Sequence, residues 1–376
     1  MAEYLTNTAE LTAVANAIRE KGGTSEQLAC PDGFVAAIQA IQTGVPLQIA
    51  VTTNAGATVT ATKGSKTVSG TADTSGHCTL TVDEAGTWTV TVATASTTKT
   101  SDVVVGISNV NLLTVDSVLN NNSWGTIKIV SDAGQGENYW SIGDRKAVTL
   151  NGTVGHLSLS NYTTYAFIIG FNHNASIEGT NRIHFQLAKT ALSGGTDVAL
   201  CDSQYGSRPS ATGYFSMNTN QTNSGGWKSS QMRTNICGTN LSSYSGTIIA
   251  VIPAALRAVL KSVTKYTDNT ANEGGSTASY VTATTDYFFL LSEFEVFGSI
   301  SHGNTNEKNK QAQYAYYYAG NSTIKYKHNG TSTAVYWWLR SPDATSFYGF
   351  VLVRPSGGSD TSSPRESLCF APGFCV

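Results

Sequence analysis

Residues 77–92 read HCTLTVDEAGTWTVTV, in which two alternating runs flank a polar turn. In Cys78–Val82 and in Trp88–Val92, threonines alternate with apolar side chains. This period of two is typical of half-buried strands. Short, β-branched strands at even spacing predict a small all-β sandwich over residues 45–106. We expect Trp88 to anchor its core.

The same pattern continues upstream of these runs. Thr58–Thr62 alternates in the same way, and Lys63-Gly64 follows it as a turn signal. Gly64–Thr67 lacks the GxxxxGK[ST] order of a phosphate-binding loop, so a hairpin turn is predicted there. The segment resembles bacterial Ig-like repeats, and this resemblance implies a spacer.

Residues 1–44 have a helical period. One apolar stripe recurs at i, i+3, i+4 and i+7: Leu11, Val14, Ala15 and Ile18. A second short helix is predicted from Pro31, and two such helices need a partner to bury both apolar faces. The segment resembles one that recurs in tail-associated proteins of phages of Gram-positive bacteria, which implies an attachment or oligomerisation module that contacts other virion tail proteins. A helical hairpin without a docking role stays open as an alternative.

Residues 107–376 are too long and irregular for a repeat, and they predict an α+β domain. Alternation predicts strands in Trp124–Val130 and within Trp140–Leu150, and Phe288–Phe297 is a long apolar strand candidate. Apolar residues at helical spacing predict a helix over Ile252–Val263. Clusters of Asn, Ser, Thr and Gly separate these elements, and loops on a rigid scaffold are frequent binding positions.

The composition restricts the classes of partner. Only 13% of the residues are charged, and the net charge is −2 without a basic block, so we expect no nucleic-acid partner. No run approaches the ~20 apolar residues of a membrane span, and no secretory signal is visible. The composition is typical of extracellular proteins, yet no export signal is visible. This combination predicts a virion component, which is assembled in the host cytoplasm and leaves the cell at lysis. A bacterial cell-surface protein exported by another route is the alternative.

The six cysteines lie at long, irregular intervals without a CxxC pair. This spacing does not support a zinc or thioredoxin-type site, and buried free thiols are the prediction. Cys369 and Cys375 lie close enough in sequence to pair if the chain turns between them.

Three motifs carry a resemblance to a known family. They are Gly226–Arg233 (GWKSSQMR), Phe289–Gly298 (FLLSEFEVFG) and Tyr336–Pro342 (YWWLRSP). In this order they resemble the DUF6273 type of domain, from about Trp124 to residue 376. The resemblance implies the formylglycine-generating-enzyme-like branch of the C-type lectin fold, which includes variable proteins diversified by retroelements. The expected fold is therefore multidomain, with short N-terminal α-helices, an Ig-like sandwich and a C-terminal α+β C-type-lectin-like domain over residues 107–376.

In the variable proteins, the diversified stretch follows a motif like WWLRSP, and residues 343–368 correspond to it here. Their Tyr, Ser, Gly, Asp and Arg content is a paratope-like mixture. The predicted ligand-binding residues are Asp343, Thr345, Ser346, Tyr348, Gly349, Leu352, Arg354, Gly358, Asp360, Thr361, Ser362, Ser363 and Arg365. The resemblance implies a homotrimeric virion adhesin that recognises a host-surface protein or glycan. One departure is Cys369–Pro372, where the family usually has Gly-Val-Arg-Pro.

We predict no enzyme activity and no catalytic residue. A tail-associated polysaccharide-degrading enzyme is the rival, because Glu293 and Glu295 would share one strand face at i, i+2. A formylglycine-generating type of centre would have to use Cys369 and Cys375. A bacterial variable surface protein that binds a ligand is the remaining alternative.

No cofactor and no metal site is predicted. The histidines show no i, i+4 pair. Asp132, Asp144 or Asp286 could contribute oxygens to calcium, although their spacing is not that of an EF-hand. The tyrosines at 314 and 316–318, with Trp337 and Trp338, are expected to alternate between core and solvent along strands.

Overall fold

Trp88 lies at the centre of the N-terminal β-strands with none of its side chain exposed, as the alternation predicts. The structure is a computed structural model that describes residues 8–20, 47–83, 86–94, 97–105, 110–271 and 275–376. The chain divides into an N-terminal unit, Met1–Thr114, and a C-terminal unit, Val115–Val376.

The N-terminal unit begins with the predicted amphipathic helix, α1 (Thr8–Glu20). Ala15 and Ile18 of its apolar stripe are buried, whereas Val14 is exposed. The second helix predicted from Pro31 and the thiol of Cys30 lie outside the described residues.

Two small sheets share one core in this unit. Its strands are β1 (Leu47–Thr52), β2 (Thr58–Lys63), β3 (Lys66–Thr71), β4 (His77–Val82), β5 (Thr87–Ala93), β6 (Thr98–Val104) and β7 (Val110–Asn111). The sheet orders are β4-β1-β7 and β3-β2-β5-β6. The predicted strands are confirmed, and β2 and β3 form the expected hairpin at Gly64, whose φ of +58° suits glycine.

The C-terminal unit is mixed and strand-rich. Its strands are β8 (Arg145–Val154), β9 (Leu157–Phe171), β10 (Ile183–Lys189), β11 (Val198–Ala199), β12 (Val263–Asp268), β13 (Val281–Asp286), β14 (Phe288–Phe289), β15 (Lys325–Lys327), β16 (Gly330–Val335), β17 (Trp337–Pro342), β18 (Phe350–Val353), β19 (Ser359–Ser362) and β20 (Gly373–Cys375). Its helices are short: α2 (Trp124–Asp132), α3 (Gly136–Tyr139), α4 (Ala175–Glu178), α5 (Gly226–Ser229), α6 (Ile248–Val251), α7 (Ala254–Arg257), α8 (Glu293–Phe297) and α9 (Ala315–Tyr318). Turns of 3₁₀-helix lie at Leu119–Asn121, Ala278–Tyr280 and Thr305–Asn309, and a π-helical turn lies at Met232–Cys237.

The largest sheet has the order β14-β20-β10-β9-β8. Strand β20 pairs with both β10 and β14, so residues close to the carboxyl end occupy the sheet interior. Trp124 on α2 packs edge-on against Phe185 of β10 and Phe374 of β20, with ring centroids 5.6 and 6.2 Å apart. These contacts fix the helix on the sheet.

Three predicted elements are wrong. Trp124–Val130 belongs to helix α2, whose buried residues Trp124, Ile127 and Val130 recur every three positions. The strand predicted over Phe288–Phe297 ends at Phe289 and is followed by α8. The single helix predicted over Ile252–Val263 is only the short turn α7, followed by β12. The strand within Trp140–Leu150 is confirmed as the start of β8.

No helix within the described part of the chain is long and apolar enough to cross a membrane.

Candidate functional site

The predicted binding segment folds as a loop, residues 343–349, followed by the hairpin β18–β19. The sheet order is β17-β18-β19, so β17 lies beside β18 in the same sheet, on the side away from β19. Phe350 pairs with Ser362 and Leu352 pairs with Asp360, while Arg354 donates its N–H to the carbonyl oxygen of Gly358 at the turn (2.8 Å). The apolar side chains of β18 are buried, and the residues of β19 are half-buried.

A rigid scaffold supports this hairpin. Both tryptophans of β17 are fully buried, and their indole N–H groups donate to the carbonyl oxygens of Thr323 (3.0 Å, from Trp337) and Phe215 (2.9 Å, from Trp338). A disulfide joins Cys201 to Cys369 beside β17, since the main-chain N–H of Trp338 donates to the Cys369 carbonyl oxygen (3.0 Å). The scaffold is thus held by hydrogen bonds and by one covalent link.

The loop 343–349 is fastened from inside by one buried side chain. The amide of Asn223 donates to the carbonyl oxygens of Asp343 (3.0 Å), Ser346 (2.7 Å) and Gly349 (3.1 Å). Asp343 reinforces the loop, because its carboxylate accepts hydrogen bonds from the N–H and the hydroxyl of Thr345, both at 2.8 Å. The loop conformation therefore depends on main-chain carbonyl groups and on Asp343.

Two aromatic side chains lie exposed at the tip of this loop. Phe347 is 42% exposed and Tyr348 is 54% exposed, and their ring centroids lie 6.0 Å apart in an edge-on arrangement. Exposed aromatic pairs on a fixed loop are unusual on a solvated surface and frequent at binding sites.

A groove of about 360 Å³ lies on the hairpin. It is lined by Tyr205, Gly206, Tyr336, Leu352, Asp360, Thr361, Ser362, Glu366 and Leu368. Tyr205 is half-buried, and burial raises its pKa above the ordinary value. Its hydroxyl oxygen accepts the N–H of Tyr336 at 3.0 Å, which fixes the phenol ring in the groove wall.

Two ion pairs lie along the groove. Arg354 binds Asp360 through Nε and Nη2, each at 2.9 Å from Oδ2. Arg208 binds Oε1 of Glu366 (3.0 Å from Nε and 2.6 Å from Nη2), and the hydroxyl of Ser362 donates to Oε2 at 2.6 Å. The charges of the groove therefore compensate one another.

The predicted contact residues divide by exposure. Those that are exposed are Thr345, Tyr348, Arg354 and Gly358. Those that are half-buried are Ser346, Asp360, Thr361, Ser362, Ser363 and Arg365. Those that are buried are Asp343, Gly349 and Leu352. Four of them, Leu352, Asp360, Thr361 and Ser362, meet in the groove, whereas Asp343 and Gly349 lie beneath the loop tip.

Sequence reasoning missed several residues of this region. Tyr205 and Arg208 lie far upstream of the hairpin and had no local signal. Asn223 is also distant in sequence, and only its contact with three carbonyl groups identifies it. Phe347 and Glu366 lie inside residues 343–368 but were not among the predicted contacts.

A buried ionic cluster forms the core beneath the large sheet. Lys265 Nζ donates to Glu178 (2.7 Å), Glu295 (2.9 Å) and the Tyr314 hydroxyl (2.8 Å), and Arg340 binds both carboxylate oxygens of Glu295. Burial by itself would raise the pKa of Glu295, but the charges of Arg340 and Lys265 outweigh it and hold that pKa well below the usual range. Burial raises the pKa of Glu178.

The proposed strand face with Glu293 and Glu295 is therefore wrong. Both glutamates lie in the first turn of α8 and are buried. Glu295 and Ser292 form a capping box, with both hydrogen bonds at 3.0 Å. Glu293 accepts the N–H groups of Ser301 (3.0 Å) and Gly303 (2.8 Å). Each carboxylate has a structural partner and lies out of reach of a polysaccharide.

One group of side chains in the same cluster could hold a metal ion. His173, Glu178 and Glu295 offer ligand atoms within 4.8 Å of one another. Burial, followed by the charge of Lys265, lowers the pKa of His173 to about 3, so its ring is neutral. However, the ammonium of Lys265 already contacts both carboxylates, and a divalent ion would have to displace it. The cluster is a compensated core, and the residues fit a metal poorly.

The three aspartates considered for calcium form no common group within the described residues. Asp132 pairs with Lys128 and Lys261, and Asp286 binds Arg233. Asp144 accepts the N–H of Ser141 at 2.8 Å.

The cysteine predictions are corrected in part. Cys201 and Cys369 form a disulfide instead of free thiols, and the considered pairing of Cys369 with Cys375 is wrong. Cys78, Cys237 and Cys375 are buried free thiols, as predicted. The Sγ atom of Cys375 lies 3.2 Å from Nδ1 of His184. Burial raises the pKa of the Cys375 thiol to about 12, which leaves no thiolate for redox chemistry at neutral pH.

The aromatic alternation is also wrong. Tyr316 and Tyr317 are buried on the short helix α9 instead of a strand, and Tyr318 beside them is 81% exposed. Trp337 and Trp338 are adjacent in β17, yet both are buried, because β17 is covered on both faces.

The comparison with protein families finds a match over the part of the chain that carries this site. No curated protein matches the chain. Residues 199–376 match the model described as domain of unknown function DUF6273, a shorter range than the one predicted from about Trp124. The loop, the hairpin, the disulfide and all the residues of the groove thus lie within the range that matches the DUF6273 model.

Proposed function

We propose that this chain is a phage or prophage virion adhesin, which binds a host-surface protein or glycan through the loop 343–349 and the hairpin β18–β19. The single observation that carries the proposal is the exposed pair Phe347 and Tyr348 on a loop whose main chain is fixed by Asn223. A pre-ordered loop loses little entropy when it binds, so its aromatic side chains can contribute most of their contact energy to affinity.

The disulfide and the composition of the chain also support an extracellular role. Disulfides persist in oxidising surroundings and are rare in the reducing cytoplasm. The Cys201–Cys369 pair is therefore expected to form after the protein leaves the cell that made it. The low content of charged residues, 13%, agrees with a surface that is hydrated by hydroxyl and amide groups.

The finer assignments of the domains belong to the same proposal. We interpret α1 as part of an attachment module that contacts other tail proteins, the two N-terminal sheets as an Ig-like spacer, and the C-terminal unit as a C-type-lectin-like head. A homotrimer would place several copies of the head on one tail and would raise the avidity of weak single contacts. A diversifying retroelement acting on residues 343–368 would fit a loop whose shape depends little on the side chains at its tip.

A binding assay on cells tests the proposal. The full chain is fluorescently labelled and applied to a panel of Gram-positive bacteria, with a Phe347→Ala, Tyr348→Ala double variant and a Tyr318→Ala control. We expect the double variant to lose at least tenfold in bound signal while the control, which removes an exposed tyrosine outside the loop, binds like the parent. Equal binding by the folded double variant would refute a role for the loop.

The same disulfide also favours the second candidate, a bacterial variable surface protein that binds a ligand. Fractionation of the producing cells separates the two. An adhesin of a virion sediments with tail particles after lysis, whereas a cellular surface protein stays with the envelope fraction.

A further inference from the structure

The groove beside the loop has a chemistry of its own. It combines aromatic rings with an apolar floor, since Tyr205 and Tyr336 form walls while the buried side chains of Leu352 and Leu368 lie beneath them. Tyr336 is 39% exposed, so part of its ring is available to a ligand. A volume of about 360 Å³ lies in the range of small-ligand sites.

Two polar groups of the groove have hydrogen-bonding capacity without a partner in the described part of the chain. Oδ1 of Asp360 accepts no hydrogen bond, because Arg354 binds only Oδ2. The hydroxyl of Tyr205 accepts one hydrogen bond, and its own proton is not donated to a protein group. Together they offer a ligand one carboxylate acceptor and one phenol donor.

The charges of the groove disfavour an ionic ligand. Asp360 and Glu366 carry two negative charges, and Arg354 and Arg208 carry two positive charges at hydrogen-bond distance from them. A charged group entering the groove would meet two opposite-charge pairs with no net charge, so no net attraction favours it over a neutral group.

We infer that the groove binds a neutral saccharide unit. This inference rests on the proposed function and names the chemical class of its ligand. A neutral sugar has apolar C–H faces that pack on tyrosine rings and hydroxyl groups that both donate and accept, which matches the walls and the two unpartnered groups. A peptide fits less well, because the carboxylates that line the groove are already paired and its main chain would need a run of unpartnered amides and carbonyls.

Saturation-transfer NMR on the full chain tests this inference. The probes are glucose, galactose, rhamnose, N-acetylglucosamine and N-acetylgalactosamine, with N-acetylneuraminic acid as the anionic comparison and a pool of tryptic peptides as the peptide comparison. The variants are Tyr336→Ala, which removes one wall, and Asp360→Asn, which replaces the free acceptor while keeping the shape. Tyr318→Ala is the matched control, since Tyr318 is exposed and does not line the groove.

We expect saturation transfer to at least one neutral saccharide, a loss of about tenfold in affinity in both groove variants, and none in the control. Transfer to no neutral saccharide, transfer that survives Tyr336→Ala, or transfer only to the anionic sugar or the peptides would overturn the inference. The cell-binding assay separates the two proposals. If the saccharides fail while the Phe347→Ala, Tyr348→Ala variant still loses binding to cells, the adhesin proposal stands with another class of ligand.

Discussion

The side-chain nitrogen of Asn223 lies 2.7 Å from the carbonyl oxygen of Ser346, although 123 residues separate the two in sequence. The same amide contacts the carbonyl oxygens of Asp343 and Gly349, and the Asn223 N–H donates to the carbonyl oxygen of Phe347 at 2.9 Å. Since all these acceptors are main-chain atoms, the tip can exchange its side chains without losing its shape.

Replacing Asn223 is expected to release the loop. An Asn223→Ala variant leaves three buried carbonyl groups without this donor, and we expect the free energy of unfolding to fall by about 2–4 kcal/mol. Hydrogen exchange should accelerate in residues 344–349, and binding to cells should fall with it. Chemical denaturation and exchange mass spectrometry measure the two effects.

Asn240→Ala is the matched control for this variant. Asn240 is exposed and its side chain serves only a local turn, so its loss should change stability by less than about 1 kcal/mol. Unchanged exchange in the loop of Asn223→Ala would show that other contacts hold it.

The free energy of unfolding is expected to depend on pH through Glu307. It is fully buried, and burial raises the pKa of its carboxyl to about 7, above the ordinary 4.5. The folded state therefore holds a proton that the unfolded state has released. The stabilisation is complete below about pH 4.5 and disappears as the pH rises through 7, with a change on the order of 2–3 kcal/mol.

Glu307→Gln should reduce this dependence of the free energy of unfolding on pH, which urea titrations at several pH values measure. Because burial also raises the pKa of Glu178, part of the slope should remain. A slope identical to that of the parent would contradict the assignment to Glu307.

The Cys201–Cys369 disulfide closes a loop of 168 residues, so its removal should be costly. In the chain-entropy model, a double serine variant loses on the order of 5 kcal/mol, which thermal unfolding would detect. Peptide mapping of protein purified in air, without reductant, should recover the two cysteines in one linked peptide. Recovery of both as alkylated thiols, or a link from Cys369 to Cys375, would contradict the structure.

Trp88 provides a separate test of the N-terminal sheets. Trp88→Ala empties the centre of a buried core and should destabilise the N-terminal unit by about 3–5 kcal/mol. The measurement is the protection of β2, β5 and β6 against hydrogen exchange. Val104→Ala on the exposed side of β6 is the control, with an expected effect of less than about 0.5 kcal/mol. Equal protection in both variants would refute the anchoring role.

The elements that the sequence predicts well are those with an uninterrupted local period. Strands β2, β4 and β5 each bury every second residue, and α1 buries Ala15 and Ile18 on one stripe. In these segments the pattern and the burial have the same origin, because each element covers a single core with one face.

In the C-terminal unit, the local period does not predict the element correctly where buried residues face more than one layer. Ile127 and Ile129 suggest alternation in α2, although Ser123, whose hydroxyl accepts the Thr126 N–H at 3.0 Å, is a clear helix start. Ser292 and Glu295 carry the capping-box pattern that marks α8, but the apolar run around them favours a strand. Local signals for both helices were present and were outweighed by the apolar content.

Much of the candidate site depends on contacts between distant segments. The position of residues 343–368 followed from a motif, and four of the predicted residues do line the groove. Three features of the site depend on the tertiary fold, for which a single sequence carries no periodic signal. They are the groove wall formed by Tyr205, the hydrogen bonds from Asn223 to the loop, and the disulfide partner Cys201.

The place of β20 in the large sheet has a consequence for synthesis. Its residues 373–375 pair with β10, which the ribosome produces almost 190 residues earlier, so β10 cannot gain this neighbour until residues 373–375 have been translated. A stop codon or a shift of reading frame anywhere in 343–368 also deletes this late strand. A chain truncated in this way would lack the strand between β10 and β14, and the facing edges of both strands would be left unpaired.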